Sequence, residues 1–245
     1  MAKVFTNSNE ITNYSTLKEC LVWELAQQFG LAVPEAFCID GFRSGFSQDL
    51  PDEHKGRYIE ARRRNSMVFG SAFLGDAVMV PASPPRWQKE EGAYWARLFV
   101  FDCLVHNTDR RVDKPNLLRS GGRYFCIDHE KALAFAQGTN VGVISANVDR
   151  RLEEMRSLQN LNTLTTRHLA LPFIKKHRRK VLPLIEEQAE LVDHLDLGRL
   201  QTLSNFIGWK GVNQAPFGSI ERYLNELRSD SNILISAAVA SIAAT

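Results

Sequence analysis

The chain has 245 residues, 44% of them hydrophobic and 24% charged, and its 30 basic and 28 acidic side chains leave a net charge of +2. This is a globular composition, which excludes wholesale disorder and collagen-like repetition. The even balance excludes a global drive toward nucleic acid or an anionic membrane.

A length of this size fits one large domain or two tightly packed lobes. The four cysteines, Cys20, Cys38, Cys103 and Cys126, form no CxxC pair. A zinc knuckle or a disulfide scaffold is therefore not expected. Lone cysteines with apolar flanks act as small core residues, which suits a reducing cytoplasm. The first ten residues turn polar at once and have no signal-peptide core. The uncharged C-terminal stretch, Ser231 to Thr245, is shorter than the ~18 apolar residues that span a bilayer. It reads as a terminal helix packed on the body, with no membrane partner.

Lys3-Val4-Phe5 opens the chain as a short strand, and polar Thr6 to Ser15 reads as a loop. Leu17, Leu21, Val22, Leu25 and Phe29 recur at helical spacing, which predicts a helix over about 16–29 ended by Gly30. Ala32 to Ile39 reads as extended, and 44–57 as a loop. Val68 to Phe73 and Ala77 to Val80 read as strands or connecting pieces. Pro81, Pro84 and Pro85 mark the best boundary. A buried helix follows, about Glu90 to His106, then a polar loop to Pro115. Asn116 to Arg119 and Arg123 to Ile127 flank Ser120-Gly121-Gly122, a hairpin with a Gly-Gly turn. From Asp149 the pattern is helical, with breaks near Pro172, Gly198 and Gly208 to Gly218. The tryptophans Trp23, Trp87, Trp95 and Trp209 read as core.

The chemistry concentrates between Phe101 and Leu133. A buried helix delivers a loop with His106, Asn107, Asp109, Arg110 and Arg111, and the hairpin carries the chain from Asn116 to Asp128. Its tight turn allows Asp109, Asn116 and Asp128 to converge. Two carboxylates and an amide oxygen are hard ligands suited to magnesium. Asp109 is also placed to accept a hydroxyl proton. Phosphoryl transfer by the protein-kinase mechanism needs this set, together with cations that offset phosphate charge. Lys3, Arg110 and Lys114 are the candidates for that last role.

The stretch resembles HipA-like kinases, the bacterial toxin-type branch of the protein-kinase-like fold, in their compact single-chain form. The residues that carry the likeness are His106-Asn107-Thr108-Asp109-Arg110, Pro115-Asn116-Leu117-Leu118, and Tyr124 through Asp128-His129. The resemblance implies Asp109 as catalytic base and Asn116 and Asp128 as magnesium ligands. It extends to Gly30-Leu31-Ala32-Val33-Pro34-Glu35 behind the first helix. Glu19 then corresponds to the helix glutamate that pairs with a strand lysine, with Glu24 as competitor. Lys3 corresponds to that lysine, which contacts the ATP phosphates. Phe69-Gly70-Ser71 corresponds to the adenine-binding segment between the lobes. Protein kinases usually place the metal asparagine five residues after the catalytic Asp. Here Lys114 holds that position, and Asn116 follows two residues later.

The expectation is an α+β, bilobal, kinase-like fold, with a small lobe over 1–80 and a mainly helical lobe over 81–245. ATP and magnesium would bind between them, for γ-phosphoryl transfer to a Ser or Thr hydroxyl on a protein substrate, in a toxin–antitoxin, defence or housekeeping role. The sequence starts at the lysine strand, so a further segment or partner is expected to complete the small lobe. Two alternatives stand beside this reading. His106, Asp109, Asp128 and His129 would suit a divalent-metal phosphohydrolase. A degenerate kinase fold would serve as a binding module. The basic run Lys175 to Lys180 reads as a solvated helix face or as the seat of an anionic partner.

Overall fold

The computed structural model describes residues 2–3, 9–40, 52, 55, 67–80, 86–138, 140–159, 161, 167–209 and 214–243; of these, 2–3, 9–15, 38–40 and 67–68 are described as backbone. The fold is α+β. Two small antiparallel sheets stand among helices, and beyond Cys126 the described elements are all helices.

The first sheet has the order β1-β3-β2, from Ala2–Lys3 (β1), Ala36–Asp40 (β2) and Met67–Ser71 (β3). Lys3 pairs with Phe69, and Ala36 with Ser71. Between β1 and β2 runs α1, Asn9–Gln28. It starts well before the predicted position, so residues 9–15, expected as loop, are helical. Those first two turns are polar, and apolar periodicity does not register a polar turn. Further along, Thr16 to Val22 are all buried, the charged Lys18 and Glu19 included. The helix ends in a Schellman motif. Leu31 N–H donates to Ala26 C=O (2.9 Å) and Gly30 N–H to Gln27 C=O (2.8 Å), with Gly30 at φ +65°. Only glycine takes that backbone conformation without steric cost.

The second sheet has the order β4-β5-β6, from Val78–Met79 (β4), Leu117–Ser120 (β5) and Arg123–Cys126 (β6). The predicted hairpin is present, with Gly121 and Gly122 both at positive φ, the requirement of its two-residue turn. Cys126 N–H donates to Ala32 C=O (2.8 Å), which ties the hairpin to the segment behind α1.

Helix α2, Lys89–Leu104, matches its prediction and is buried over most of its length. Helix α3, Val141–Ser157, starts before the predicted Asp149. Its opening residues, Val-Gly-Val-Ile, are poor helix formers. The start is fixed instead by Asn140, whose side chain accepts from Val143 N–H at 3.1 Å. Pro172 does not break a helix. It sits in the first turn of α4, Leu171–Lys176, where its missing N–H costs nothing. Then follow α5 (Arg178–Glu186), α6 (Ala189–Asp193), α7 (Leu197–Trp209), α8 (Phe217–Ser229) and α9 (Asn232–Ala243). Helix α1 packs on β3 and α7, and α2 on α4, α5 and α9. Trp95 is core as expected, but Trp209 is exposed at the end of α7. Cys20, Cys103 and Cys126 are buried free thiols. Among the described residues no helix is long and apolar enough to cross a membrane.

Candidate active site

The last turn of α2 holds the carboxylate that shapes the site. Asp102 is fully buried. Its Oδ2 receives Arg110 Nε at 2.6 Å and His168 Nε2 at 2.9 Å, and its Oδ1 receives Asn107 Nδ2 at 3.1 Å. Ala170 N–H donates to His168 Nδ1 at 3.1 Å, so the ring proton sits on Nε2. Burial alone would push the Asp102 carboxyl up, but Arg110 and His168 outweigh it and hold the carboxyl below its ordinary value. Arg110 is also fully buried, and its Nη1 donates to Asn116 C=O. The network thus clamps the loop at both ends. Leu169 N–H to Arg110 C=O (3.0 Å) and Val112 N–H to Arg167 C=O (3.1 Å) pin it from a third side.

Asp109, the residue before Arg110, has partners of its own. Its N–H donates to Asn107 Oδ1 (3.2 Å), a local Asx contact that turns the chain. Its carboxylate receives Lys114 Nζ at 2.5 Å and Asn116 Nδ2 at 3.2 Å. Lys114 Nζ also stands 3.6 Å from Asp128 Oδ2. The hydrogen bond to Asp109 raises the Lys114 ammonium above its ordinary pKa, against a smaller opposing effect of burial. Arg111 and Lys114 exchange backbone hydrogen bonds (2.9 and 3.1 Å), a tight turn that folds Lys114 back over the site. Asn116 and Asp128 both have positive φ, +45° and +56°. Asn and Asp tolerate that region better than other side-chain-bearing residues. Ile127 N–H donates to Asn116 C=O (3.1 Å), so the two ends of the hairpin lie side by side.

A cavity of about 350 Å³ adjoins this cluster, and Asp128 belongs to both. Glu19, Trp23, Phe69, Ser71 and Cys126 are among its walls. The volume lies in the range of small-molecule sites. Glu19 is buried, and its Oε2 accepts from His129 N–H at 3.4 Å. Glu24 points elsewhere, into an ion pair with Arg199 at 2.8 Å, so it does not compete for the cavity. Lys3 stands in β1 opposite Phe69, and its side chain lies outside the described residues.

Asp109, Asn116 and Asp128 are therefore brought together, with Glu19 and Ser71 on the cavity that shares Asp128. Arg110, a candidate for offsetting phosphate charge, is committed to Asp102 instead. His106 is not in the cluster. It packs on Phe135, its ring nitrogens have no hydrogen-bond partner among the described residues, and burial pulls it down to about 3. Asp102 carried a sequence signal, a charge within the otherwise apolar run from Leu98 to Val105. His168, 66 residues away from Asp102, carried none. Lys18 was also missed. It is buried and donates to Glu130 C=O at 3.2 Å, and burial lowers it to about 8.

The oxygen donors fit a hard divalent cation. Asn116 has its Nδ2 turned to Asp109, which leaves Oδ1 as the side chain's oxygen for a cation. Among the described residues no group of three or more His, Cys, Asp or Glu could hold a metal alone.

No curated protein and no solved structure matches the chain. A family model does: the one described as HipA-like kinase matches residues 3–165. The matched span includes the loop, the hairpin and every wall of the cavity. A kinase family implies a nucleoside triphosphate and a divalent cation, and well over half of the chain lies inside the match: the chain belongs to the HipA-like kinase family.

Proposed function

We propose that the chain is an ATP- and magnesium-dependent kinase that transfers the γ-phosphoryl group to a Ser or Thr hydroxyl on a protein. One observation carries the reading. Asp109, Asn116 and Asp128 converge at the edge of a cavity whose other walls include Glu19 and Ser71. In this reading residues 1–80 form a small lobe and 81–245 a mainly helical one, with the nucleotide between them.

The base sits against Phe69 and Ser71. The phosphates would extend toward Asp128, with Lys3 of the first sheet and Glu19 assigned to position them. Asn116 Oδ1 and Asp128 would hold magnesium, which offsets the charge on the phosphates when bound. Asp109 orients the substrate hydroxyl and takes its proton. The hydroxyl oxygen bonds to the γ-phosphorus, the bond from that phosphorus to the β–γ bridging oxygen breaks, and ADP leaves with the electron pair. The buried clamp on Asp102 holds the loop in shape, so orientation does not have to be bought at the moment of reaction.

The test joins binding to turnover. Calorimetry with ATP and magnesium should give binding that Asp128→Ala abolishes. Labelled phosphoryl transfer should fall sharply in Asp109→Asn while nucleotide still binds. Transfer left intact in Asp109→Asn would end the assignment. The Lys114 ion pairs with Asp109 and Asp128 favour one alternative, a degenerate fold that holds nucleotide without transferring from it. Magnesium-dependent binding with no turnover in the wild type would select it.

A further inference from the structure

Among the described residues Lys114 is the one ammonium that contacts both Asp109 and Asp128, at 2.5 and 3.6 Å. Its position is set by the backbone as well as by charge. The Arg111–Lys114 turn fixes its Cα, and Pro115 restricts the backbone of Lys114, the residue before it. The ammonium therefore sits where a mobile cation between these carboxylates would sit. Kinase sites commonly hold two divalent ions on the phosphates, on an Asp and on an Asn of the catalytic loop. Here the two carboxylates supply two negative charges, and Lys114 already cancels one. A second divalent ion between Asp109 and Asp128 would lie within a few ångströms of the ammonium. A divalent ion and an ammonium that close repel twice as strongly as two unit charges at the same separation.

We infer that Lys114 is a tethered cation that replaces one of the two divalent ions, so that the nucleotide complex of this chain takes a single divalent ion, held by Asn116 and Asp128. The ammonium then serves the γ-phosphoryl oxygens directly. It can do so because its side chain is about half exposed, whereas Asp109 behind it is mostly covered. Arg110 cannot share the task, since it is buried against Asp102.

This inference rests on the kinase reading, and the experiment separates the two. Manganese bound per chain is counted by electron paramagnetic resonance, with the β,γ-imido analogue of ATP at saturation. The wild type should bind one ion, and Lys114→Arg, which keeps the charge, should also bind one. Lys114→Asn, which removes the charge and adds an amide oxygen, should bind two. Two ions in the wild type, or one in Lys114→Asn, would overturn the tethered-cation role and leave the kinase reading standing. No manganese–nucleotide binding by any of the three would sink the kinase reading, and this inference with it.

Discussion

Arg110 and Lys114 are both cations paired with aspartates, four residues apart on one loop, and their surroundings separate their roles. Arg110 and Asp102 are fully buried, joined at 2.6 Å, and locked further by His168 and Asn107. Lys114 and Asp109 are joined at 2.5 Å, but Lys114 is about half exposed and is shared with Asp128. The buried pair has given up its hydration and can only be a structural clamp. The exposed pair keeps part of its hydration and can exchange partners. The same chemistry, Asp with a cation, thus yields a scaffold on one side of the loop and a reactive cluster on the other.

The comparison breaks first at Asp102. Asp102→Ala leaves a buried guanidinium without its carboxylate, which costs about 3–5 kcal/mol. Urea unfolding should show a loss of unfolding free energy of that size, and phosphoryl transfer should be lost with the loop geometry. The double variant Asp102→Leu with Arg110→Met should recover only part of the stability, because it removes the stranded guanidinium but leaves His168 Nε2–H and Asn107 Nδ2 without their buried acceptor. It should not recover transfer, because the Arg110 bond to Asn116 C=O is gone as well. Full recovery of both would show that the clamp positions nothing.

Asp109→Asn should behave in the opposite way. Transfer should fall by about 10²–10⁴-fold, the usual worth of a positioned base. Stability should change by less than ~1 kcal/mol, as for a partly exposed ion pair. A large loss of stability instead would place Asp109 in the scaffold with Asp102. This contrast also explains what could be read from the sequence. Asp109, Asn116 and Asp128 were legible because loop and hairpin are contiguous and each residue type is suited to its task. The clamp was half legible. Asp102 stood out as a charge among apolar residues, but nothing links it in sequence to His168. Likewise, the start of α1 was missed because its first turns are polar, and that of α3 because one capping side chain, Asn140, outweighs poor local propensity.

Lys18 extends the comparison to a buried cation with a backbone carbonyl, not a carboxylate, as its hydrogen-bond acceptor. Burial lowers it from 10.5 to about 8, against the raising effect of Glu130 and Glu19. Below pH 8 the ammonium is charged in both folded and unfolded chains, and the folded state bears the desolvation cost. Between about pH 8 and 10.5 the folded chain releases the proton while the unfolded chain keeps it, so stability rises with pH. The rise should be on the order of 2–3 kcal/mol. Lys18→Met should remove it, which urea unfolding across that window would detect. An unchanged slope in Lys18→Met would assign the rise to another group.

The smallest effect is expected at Lys114, and it is the one that most sharpens the contrast with Arg110. Lys114→Ala removes two ion-pair contacts at once. Exposed pairs contribute only ~0–1 kcal/mol, because water screens them and the long side chain loses rotamer freedom in forming them. The urea midpoint should therefore barely move. Molar salt should reduce the difference further, since the screening length falls from about 10 Å at 0.1 M to about 3 Å at 1 M. The Asp102→Ala loss, by contrast, should persist in salt, because no ions reach a fully buried pair. A Lys114→Ala loss as large and as salt-insensitive as that of Asp102→Ala would mean that the loop has a second structural clamp. A near-zero loss would leave Lys114 free to be kept for its charge alone, at the place where phosphate charge has to be met.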